Sequence, residues 1–492
     1  MSGASAPTPW VLTLDIGSSS IRAVVRDASA RILSGKAIGK AQAPLKVGGD
    51  GSAVFSPAQV LLACDSAIDQ ALASLGQEAR HINAVAIDSF GSSLLAVDDQ
   101  GSALTEVLCY AETRGSAQAS HWRMTLDEPA EHDRTGTRLH ASYWPAQLAF
   151  LLGKHPELRA ARFWPVGTWL MRQWFGHRSS TASLSAMAWT GLLNRKSLTY
   201  DARWLDRLGL REEQLPTLSD FTHAENGLAE SYASRWPALA SIPWFLPIVD
   251  GAAANVGGGA YRPGSMAITL GTTCAMRVVP DHEPATLPYG LWQYRVDKSR
   301  PLVGGALTEG GGVFDWACRL TGIQPGPDLE AALKDRKPGA GGLVLVPLLA
   351  GERAPGWNDA ARGTLGGISL ATTGTDLVAS AIEGVACRLA RLFALMEGVS
   401  GKQPRVIASG GLLASEAWRH ALANALGIAV YPCLESEATG RGMALLALEA
   451  LGHSCDWEPE LGLGIEPDSQ RHADYVDLMN MQRDLETSQP RN

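Results

Sequence analysis

TLDIGSSSIRAVV, residues 13–25, sets an acid, a glycine and three serines between two apolar runs. WVLTLDI (10–16) and SIRAVVRD (20–27) are rich in strand-favouring side chains, and Gly17, Ser18 and Ser19 between them read as the tight turn of a hairpin. A second stretch, ITLGTTCAMRVV at 268–279, repeats the pattern. Aligned at Gly17 and Gly271, each glycine is followed by two hydroxyl residues, Ser18-Ser19 and Thr272-Thr273, and each has a Val-Val pair seven and eight positions on. The echo falls near the start of each half of the chain, which points to duplication of one hairpin-led domain.

A strand-glycine-hydroxyl-hydroxyl-strand turn exposes backbone N–H groups and hydroxyls on one concave surface, the donors that phosphate oxygens need. Glycine lets the backbone come close. Either hairpin alone reads equally well as an ordinary β-turn; two of them facing one another across a cleft between domains would grip a triphosphate from both sides. No G-x-x-x-x-G-K-[ST] occurs, and GVSGKQ at 398–403 lacks the first glycine and the hydroxyl of that loop. No G-x-G-x-x-G follows a strand, which disfavours a dinucleotide.

The chain has 492 residues, enough for two or three domains at about 150 residues each. With 46% hydrophobic and 19% charged residues it has the composition of a soluble globular protein. A net charge of -8 without any Lys/Arg run argues against a nucleic-acid partner. The seven cysteines, at 64, 109, 274, 318, 387, 433 and 455, are odd in number, scattered and outside any zinc-type spacing, so they read as reduced cytoplasmic thiols. MSGASAPTPW lacks the basic and apolar regions of an export signal, and no uncharged apolar run approaches the roughly 20 residues that span a bilayer.

The first eight residues and the tail from about 480 read as disordered. INAVAIDSF (82–90) and SLLAVDDQG (93–101) read as further strands, and SPAQVLLACDSAIDQALASLG (56–76) as a helix that opens on a Ser N-cap with Pro next and closes on Gly. Residues 115–235 carry helical periodicity and tryptophan. Strand signals return in SMAITLG, MRVVP, RPLVGGAL and GLVLVPLL, followed by helical patterns at 375–397, 415–426 and 440–452.

TLDIGSSSIRAVV and LGTTCAMR, taken with ASGGLLASEAWRHALANALGIAVYPCLESEATGRGMALLALEAL (408–451), resemble the FGGY carbohydrate kinases. CYAETRGSAQA, STASLSAMAWTGLLNRKSLTYD and LLAGERAPGWNDAARGTLGGISL resemble intermediate segments of the family, so the likeness runs from about residue 10 to 455. The resemblance implies an α/β protein with the duplicated actin-like (ribonuclease H-like) ATPase fold, in two domains, 9–248 and 249–480, flanking a nucleotide cleft. ATP and Mg2+ would be its cofactors. The oligomeric state is not legible in the sequence; the family makes a homodimer a reasonable expectation.

By the same resemblance, Asp15 would help position Mg2+ and the transferring phosphoryl group, with Ser18, Ser19 and Arg22 near the terminal phosphates. A carboxylate left unpaired in an otherwise apolar strand is costly, which favours a functional reading of Asp15 over a turn-starting one. Gly271, Thr272 and Thr273 would form the second phosphate hairpin, and Gly311, Gly410, Gly411 and Ser415 would border the adenosine. Asp250, in PIVDGAAANVGGGA, matches the family's catalytic base and a second metal-side acid; local sequence alone reads it equally as the cap of the Ala-rich helix that follows.

On the acceptor side, members that phosphorylate gluconate or xylulose commonly have a histidine where this chain has Ser92, and more often an Asp where it has Glu112. Ser89, Ser92, Glu112 and Arg114 are the candidate polyol contacts, with a structural Glu112–Arg114 pair as the alternative. Of the 15 tryptophans most belong to packing, and Trp144 and Trp292 are the candidates for sugar stacking. None of the 11 histidines falls in a metal-binding spacing. The reading is an ATP-dependent kinase of a small sugar, sugar acid or polyol, gluconate-like, with xylulose or another polyol as the alternative substrate. An actin-like ATPase acting as a chaperone or nucleotide-dependent regulator is the alternative from another class.

Overall fold

A computed structural model describes residues 8–33, 38–176, 180–334, 336–400, 404–454 and 457–488. The expectations for residues 1–7, for Cys455 and for positions 401–403 of GVSGKQ lie outside the described residues.

Alternation of apolar side chains makes Trp10–Ile16 and Ile21–Arg26 antiparallel partners, with Leu14 opposite Ala23 and Ile16 opposite Ile21. The hairpin's first strand also pairs in parallel with Ile82–Ser89. The sheet runs Ala224–Glu225, Trp244–Phe245, Ile82–Ser89, Trp10–Ile16, Ile21–Arg26, Ile38–Ala41, and Ile248–Val249 joins Ile82–Ser89 as well. The helix Pro57–Leu75 begins after Ser56 and ends at Gly76, where the sequence places its limits. Its small residues Ala63, Ala67 and Ala71 are buried with Leu12, Leu14, Val25, Val85 and Ile87 in one core. A side chain at Gly39 would strike the Ala67 carbonyl, so that glycine sets the close helix–sheet approach. A second cluster around Trp144, Leu148, Met187 and Trp204 forms the core of the helical stretch foreseen at 115–235.

The later half repeats the plan. Ser265–Leu270 pairs antiparallel with Cys274–Val278, Leu270 opposite Cys274, and in parallel with Arg405–Ser409, which in turn pairs with Val430–Pro432. In both halves a hairpin's first strand thus finds a parallel partner far downstream, the topology expected of a duplicated unit. The helix Gly374–Ser400 buries Val378, Ile382, Val385, Leu389, Leu392 and Met396 against this sheet's core.

The chain forms two compact units. One comprises Met1–Gly257, Gln293–Leu302 and Ser436–Glu458; the other comprises Gly258–Trp292, Val303–Glu435 and Pro459–Asn492. The linear division at 248/249 and the compact units therefore differ. The helix Asp250–Gly257 stays with the first unit because the helix Ala438–Ala450 locks onto it: side chains at Gly257 and Gly442 would strike the carbonyls of Ala438 and Ala253. Arg441 Nη1 completes the lock by donating to the Gly257 carbonyl at 2.8 Å.

Two expectations are corrected. The tail from about 480 continues the helix Ser469–Thr487, which Asp468 caps by accepting the Arg471 amide at 2.8 Å. Gln482 anchors it by donating to the carbonyls of Leu345 and Gly384 at 2.8 and 3.1 Å. The 93–101 strand contracts to Leu95–Val97, since Asp98 turns the chain by accepting the amides of Gln100 and Ser102.

Candidate active site

In the first unit, strands Trp10–Ile16, Ile82–Ser89 and Ile248–Val249 run parallel, and each ends at or beside an acid. Register sets Asp15 next to Asp88, sets Asp88 next to Ile248, and leaves Asp250 to open its helix directly after Val249. The carboxyl ends of parallel strands are where ligands bind in open α/β sheets. Asp250 Oδ1 accepts the Gly251 amide at 2.6 Å, which orients the carboxylate at the head of the helix.

Electrostatics separate these acids. Asp88 is fully buried, and among the described residues no donor reaches either of its oxygens. Burial first, then the charges of Asp15 and Asp250, push its carboxyl well above the usual range. Asp15 is also raised, chiefly by burial, against the opposing pull of Asp88, Arg22 and Arg26. Burial and the neighbouring carboxylates therefore favour the protonated form of Asp88. Asp88 was not singled out in the sequence, although INAVAIDSF carries the same signal as TLDIG, an acid in an apolar strand.

The first turn is closed by the Gly17 amide on the Ser20 carbonyl at 3.1 Å. Ser19 is exposed, and the Ser18 hydroxyl lies 3.4 Å from the Tyr110 hydroxyl. Arg22 pairs with Glu437 through Nη1 at 2.6 Å, and Arg26 Nη2 donates to the Glu437 carbonyl at 3.3 Å. The EATGRG segment is thus tied to the first hairpin.

Among the acceptor candidates, Ser89 ends its strand and is buried. Ser92 adopts φ +57° and donates to the Trp189 carbonyl at 2.6 Å. Trp189 stacks on Tyr294 with centroids 3.9 Å apart, and the Tyr294 and Tyr143 hydroxyls lie 2.6 Å apart. This aromatic group beside Ser92 went unnoticed in the sequence, since Tyr294 reaches it only through the Gln293–Leu302 segment. Glu112 is fully buried and takes four hydrogen bonds, from Ala53 N, Arg114 N, Arg114 Nε and Arg114 Nη2, at 2.7–3.2 Å. Its lone pairs are committed to holding Arg114, whose guanidinium also sits 5.0 Å over the Phe150 ring. Trp144 is a correction: its ring is wholly inside the helical core and its Nε1 donates to the Ser93 carbonyl at 3.0 Å, so no face is left for a sugar. Trp292 is likewise buried.

In the second unit the Gly271 amide closes its turn on the Thr273 carbonyl at 3.1 Å, and Thr272 and Thr273 are exposed. The head of the helix Gly311–Thr321 braces this turn, with Gly311 N donating to Gly271 O at 2.8 Å and Gly312 N to Thr272 O at 3.1 Å. A side chain at Gly310 would sit 2.7 Å from Gly271 O. Gly410 has φ +111° and lies against the Leu270 carbonyl, whereas a side chain at Gly411 would meet nothing within 4 Å among the described residues. Ser415 caps the helix Glu416–Leu426 by accepting the Trp418 amide at 3.2 Å. Glu309, also not foreseen, precedes the bracing glycines; it is buried, and among the described residues neither of its oxygens has a hydrogen-bond partner.

Two hairpin-led units, each with an exposed hydroxyl turn and the first with acids at its strand ends, define the duplicated actin-like, ribonuclease H-like class of phosphotransferases. The chain belongs to the FGGY family of carbohydrate kinases, whose N-terminal domain matches residues 10–257 and whose C-terminal domain matches residues 266–451. It is 27% identical to a gluconokinase of Bacillus subtilis over 463 residues, 90% of this chain and 88% of that one. A glycerol kinase of Rhodospirillum centenum is 25% identical over 454 residues, 89% of each chain. Its fold is that of a gluconate kinase from Lactobacillus acidophilus, with a TM-score of 0.87 at 22% identity over 97% of this chain and 98% of that one. A xylulose kinase from the same organism gives 0.88 at 22% identity, again over 97% and 98%. The protein is therefore a carbohydrate kinase that transfers a phosphoryl group from ATP to an alcohol of a small molecule. No helix among the described residues is long and apolar enough to cross a membrane.

Proposed function

We propose that the enzyme phosphorylates a hydroxyl of gluconate or a closely similar sugar acid, with Asp250 as the base that receives the hydroxyl proton. The placement of Asp250 carries the reading: it heads a helix at the end of a strand registered beside Asp88 and, through it, Asp15. Phosphoryl transfer asks chiefly for positioning and charge neutralisation, plus one carboxylate to accept that proton. The gluconokinases of two Bacillus species among its relatives support the choice of acceptor. Ser18, Ser19, Arg22, Gly271, Thr272 and Thr273 are the phosphate contacts of this reading, with Gly311, Gly410 and Gly411 at the adenosine. Ser89, Ser92 and Arg114 serve the acceptor, Arg114 being held ready by Glu112.

Magnesium belongs to the same reading. Among the described residues no three His, Cys, Asp or Glu side chains group closely enough to hold a metal alone. Asp15 and Asp250 would hold it together with phosphate oxygens and water, a mode Mg2+ commonly uses, and the excess of buried acid around Asp88 suits a cation. Bound there, it would neutralise charge on the phosphates. A cytoplasmic location is supported by the free state of the six described cysteines. A homodimer is supported by family likeness alone.

The test is ADP release across gluconate, xylulose, glycerol and other polyols. Turnover should be greatest with gluconate, and hydrolysis indifferent to every acceptor would reject the reading. Asp250→Asn should lower phosphorylation by about 10²- to 10⁴-fold or more while ATP binding persists.

A further inference from the structure

The second unit holds an acid that the reaction outlined above does not use. Glu309 follows the strand Pro301–Leu307, in which Leu307 lies opposite Cys274, the residue that ends the phosphate turn. Gly310, next in the chain, rests against the Gly271 and Thr272 carbonyls, so Glu309 stands directly behind that turn. Glu309 is 1% exposed, and among the described residues neither carboxyl oxygen has a hydrogen-bond partner that meets the distance and angle limits of a hydrogen bond.

The charged groups that bear on it are Arg388 from the helix Gly374–Ser400 and Glu352 from the loop after the strand Val344–Val346; the Thr308 hydroxyl and the Cys274 thiol are its other titratable or polar neighbours. Arg388 is itself spoken for. Its Nη2 pairs with Glu352 and its Nη1 lies 3.3 Å from both oxygens of Glu486, which Arg391 also engages. Three acids therefore share two guanidinium groups, and Glu309 is the one that neither guanidinium hydrogen-bonds. A buried carboxylate in that position is stable only as long as no further negative charge approaches.

We propose that Glu309 is the proton acceptor behind the Gly271–Thr273 turn: when a nucleotide's phosphates settle on that turn, the Glu309 carboxylate takes up one proton from solvent. The proposal rests on the reading that the phosphates lie there. Burial first, and Glu352 against the opposing pull of Arg388, raise Glu309 to about 7 in the free protein, so it is part ionised at neutral pH and free to respond. Phosphate charge arriving at the turn favours the neutral acid, which escapes the added repulsion. Glu309 is thus a positioning residue that couples nucleotide affinity to pH, and it takes no part in the transfer itself.

Calorimetric titration of Mg-ADP into the full chain, in two buffers of different ionisation enthalpy, counts the protons. At pH 7 the wild type should take up about half a proton per nucleotide, and its Kd should weaken between pH 7 and 8.5 by up to about tenfold per pH unit. E309Q should bind Mg-ADP with no such uptake and a flatter pH dependence. Glu352→Gln, which removes a negative neighbour and releases Arg388, should move the uptake to lower pH. Binding without proton uptake by the wild type, or with undiminished uptake by E309Q, overturns the proposal while leaving the nucleotide site standing. Failure of the wild type to bind either Mg-ADP or Mg-ATP at any pH overturns both.

Discussion

A buried acid has to be compensated, and the buried acids of this chain differ in how far they are. Glu112 is compensated locally, through a two-residue loop back to the Arg114 guanidinium with bonds of 2.7 and 2.8 Å. Glu112→Gln leaves a guanidinium without its counter-charge at a buried partner, and should cost on the order of 3 kcal/mol in urea unfolding. Arg114→Lys keeps the charge but loses the planar fork; if Arg114 meets the acceptor, KM for the sugar should rise with kcat little changed, and an unchanged KM would reduce the pair to a structural role. Asp15 and Asp88 lie side by side in register and are both raised, chiefly by burial, and Glu309 stands beside an arginine that Glu352 and Glu486 also engage. Asp15 was legible because an acid inside an apolar strand is expensive wherever it occurs. Asp88 carried the same sign and was passed over, because its meaning depends on the neighbour that a parallel register supplies from 73 residues away. Trp144 was misread for a related reason: composition counts tryptophans but does not say which of them keeps a face to solvent.

At the scale of elements, the hairpins were readable because a strand, a glycine, two hydroxyls and a strand are contiguous. The limits of the helix Pro57–Leu75 were readable from the serine before it and the glycine after. Pairings between distant elements were not. The helix that Asp250 opens is held by the helix Ala438–Ala450 through glycines that approach one another's backbones, an arrangement that no local pattern announces. Gly442→Ala places a methyl group against the Ala253 carbonyl and 2.7 Å from the Gly257 amide nitrogen. Overpacking of this kind costs about 1–3 kcal/mol, and because the strained helix begins at the proposed base, kcat should fall along with the melting temperature. Gly398→Ala is the matched control. Gly398 is exposed near the end of the helix Gly374–Ser400, with nothing among the described residues near an added methyl group, so alanine there should stabilise by about 0.5–1 kcal/mol and leave kinetics unchanged. Loss of activity in both variants would disconnect the helix lock from Asp250.

For the molecule as a whole, the chain's two linear halves and its two compact units are not the same thing, since Gln293–Leu302 and Ser436–Glu458 return to the first unit. Duplication was legible in the paired hairpins; the exchange of segments was not, because it depends on packing surfaces that exist only once both halves are folded. Each unit also has its own core, and the second unit's core holds a further buried acid whose consequence is global. Glu383, in the helix Gly374–Ser400, is raised to about 7 from 4.5, first by burial, with Asp376 adding to it and Arg336 and a backbone hydrogen bond at Gly339 opposing. A folded-state value above the unfolded one means that the native protein holds the proton more tightly. Below about pH 4.5 both states are protonated and nothing is lost; between 4.5 and 7 the unfolded chain releases its proton first, so stability falls; above 7 the loss is complete. A shift of that size corresponds to about 3 kcal/mol. Glu383→Gln abolishes the titration in both states while keeping size and one acceptor. Thermal unfolding of this variant should match the wild type at about pH 4 and exceed it at pH 8 by several degrees, at about 2–4 °C per kcal/mol for a unit of this size. A variant that melts lower than the wild type at pH 8 would mean that Glu383 is ionised and compensated in the native state, and that the second unit's core tolerates its charge.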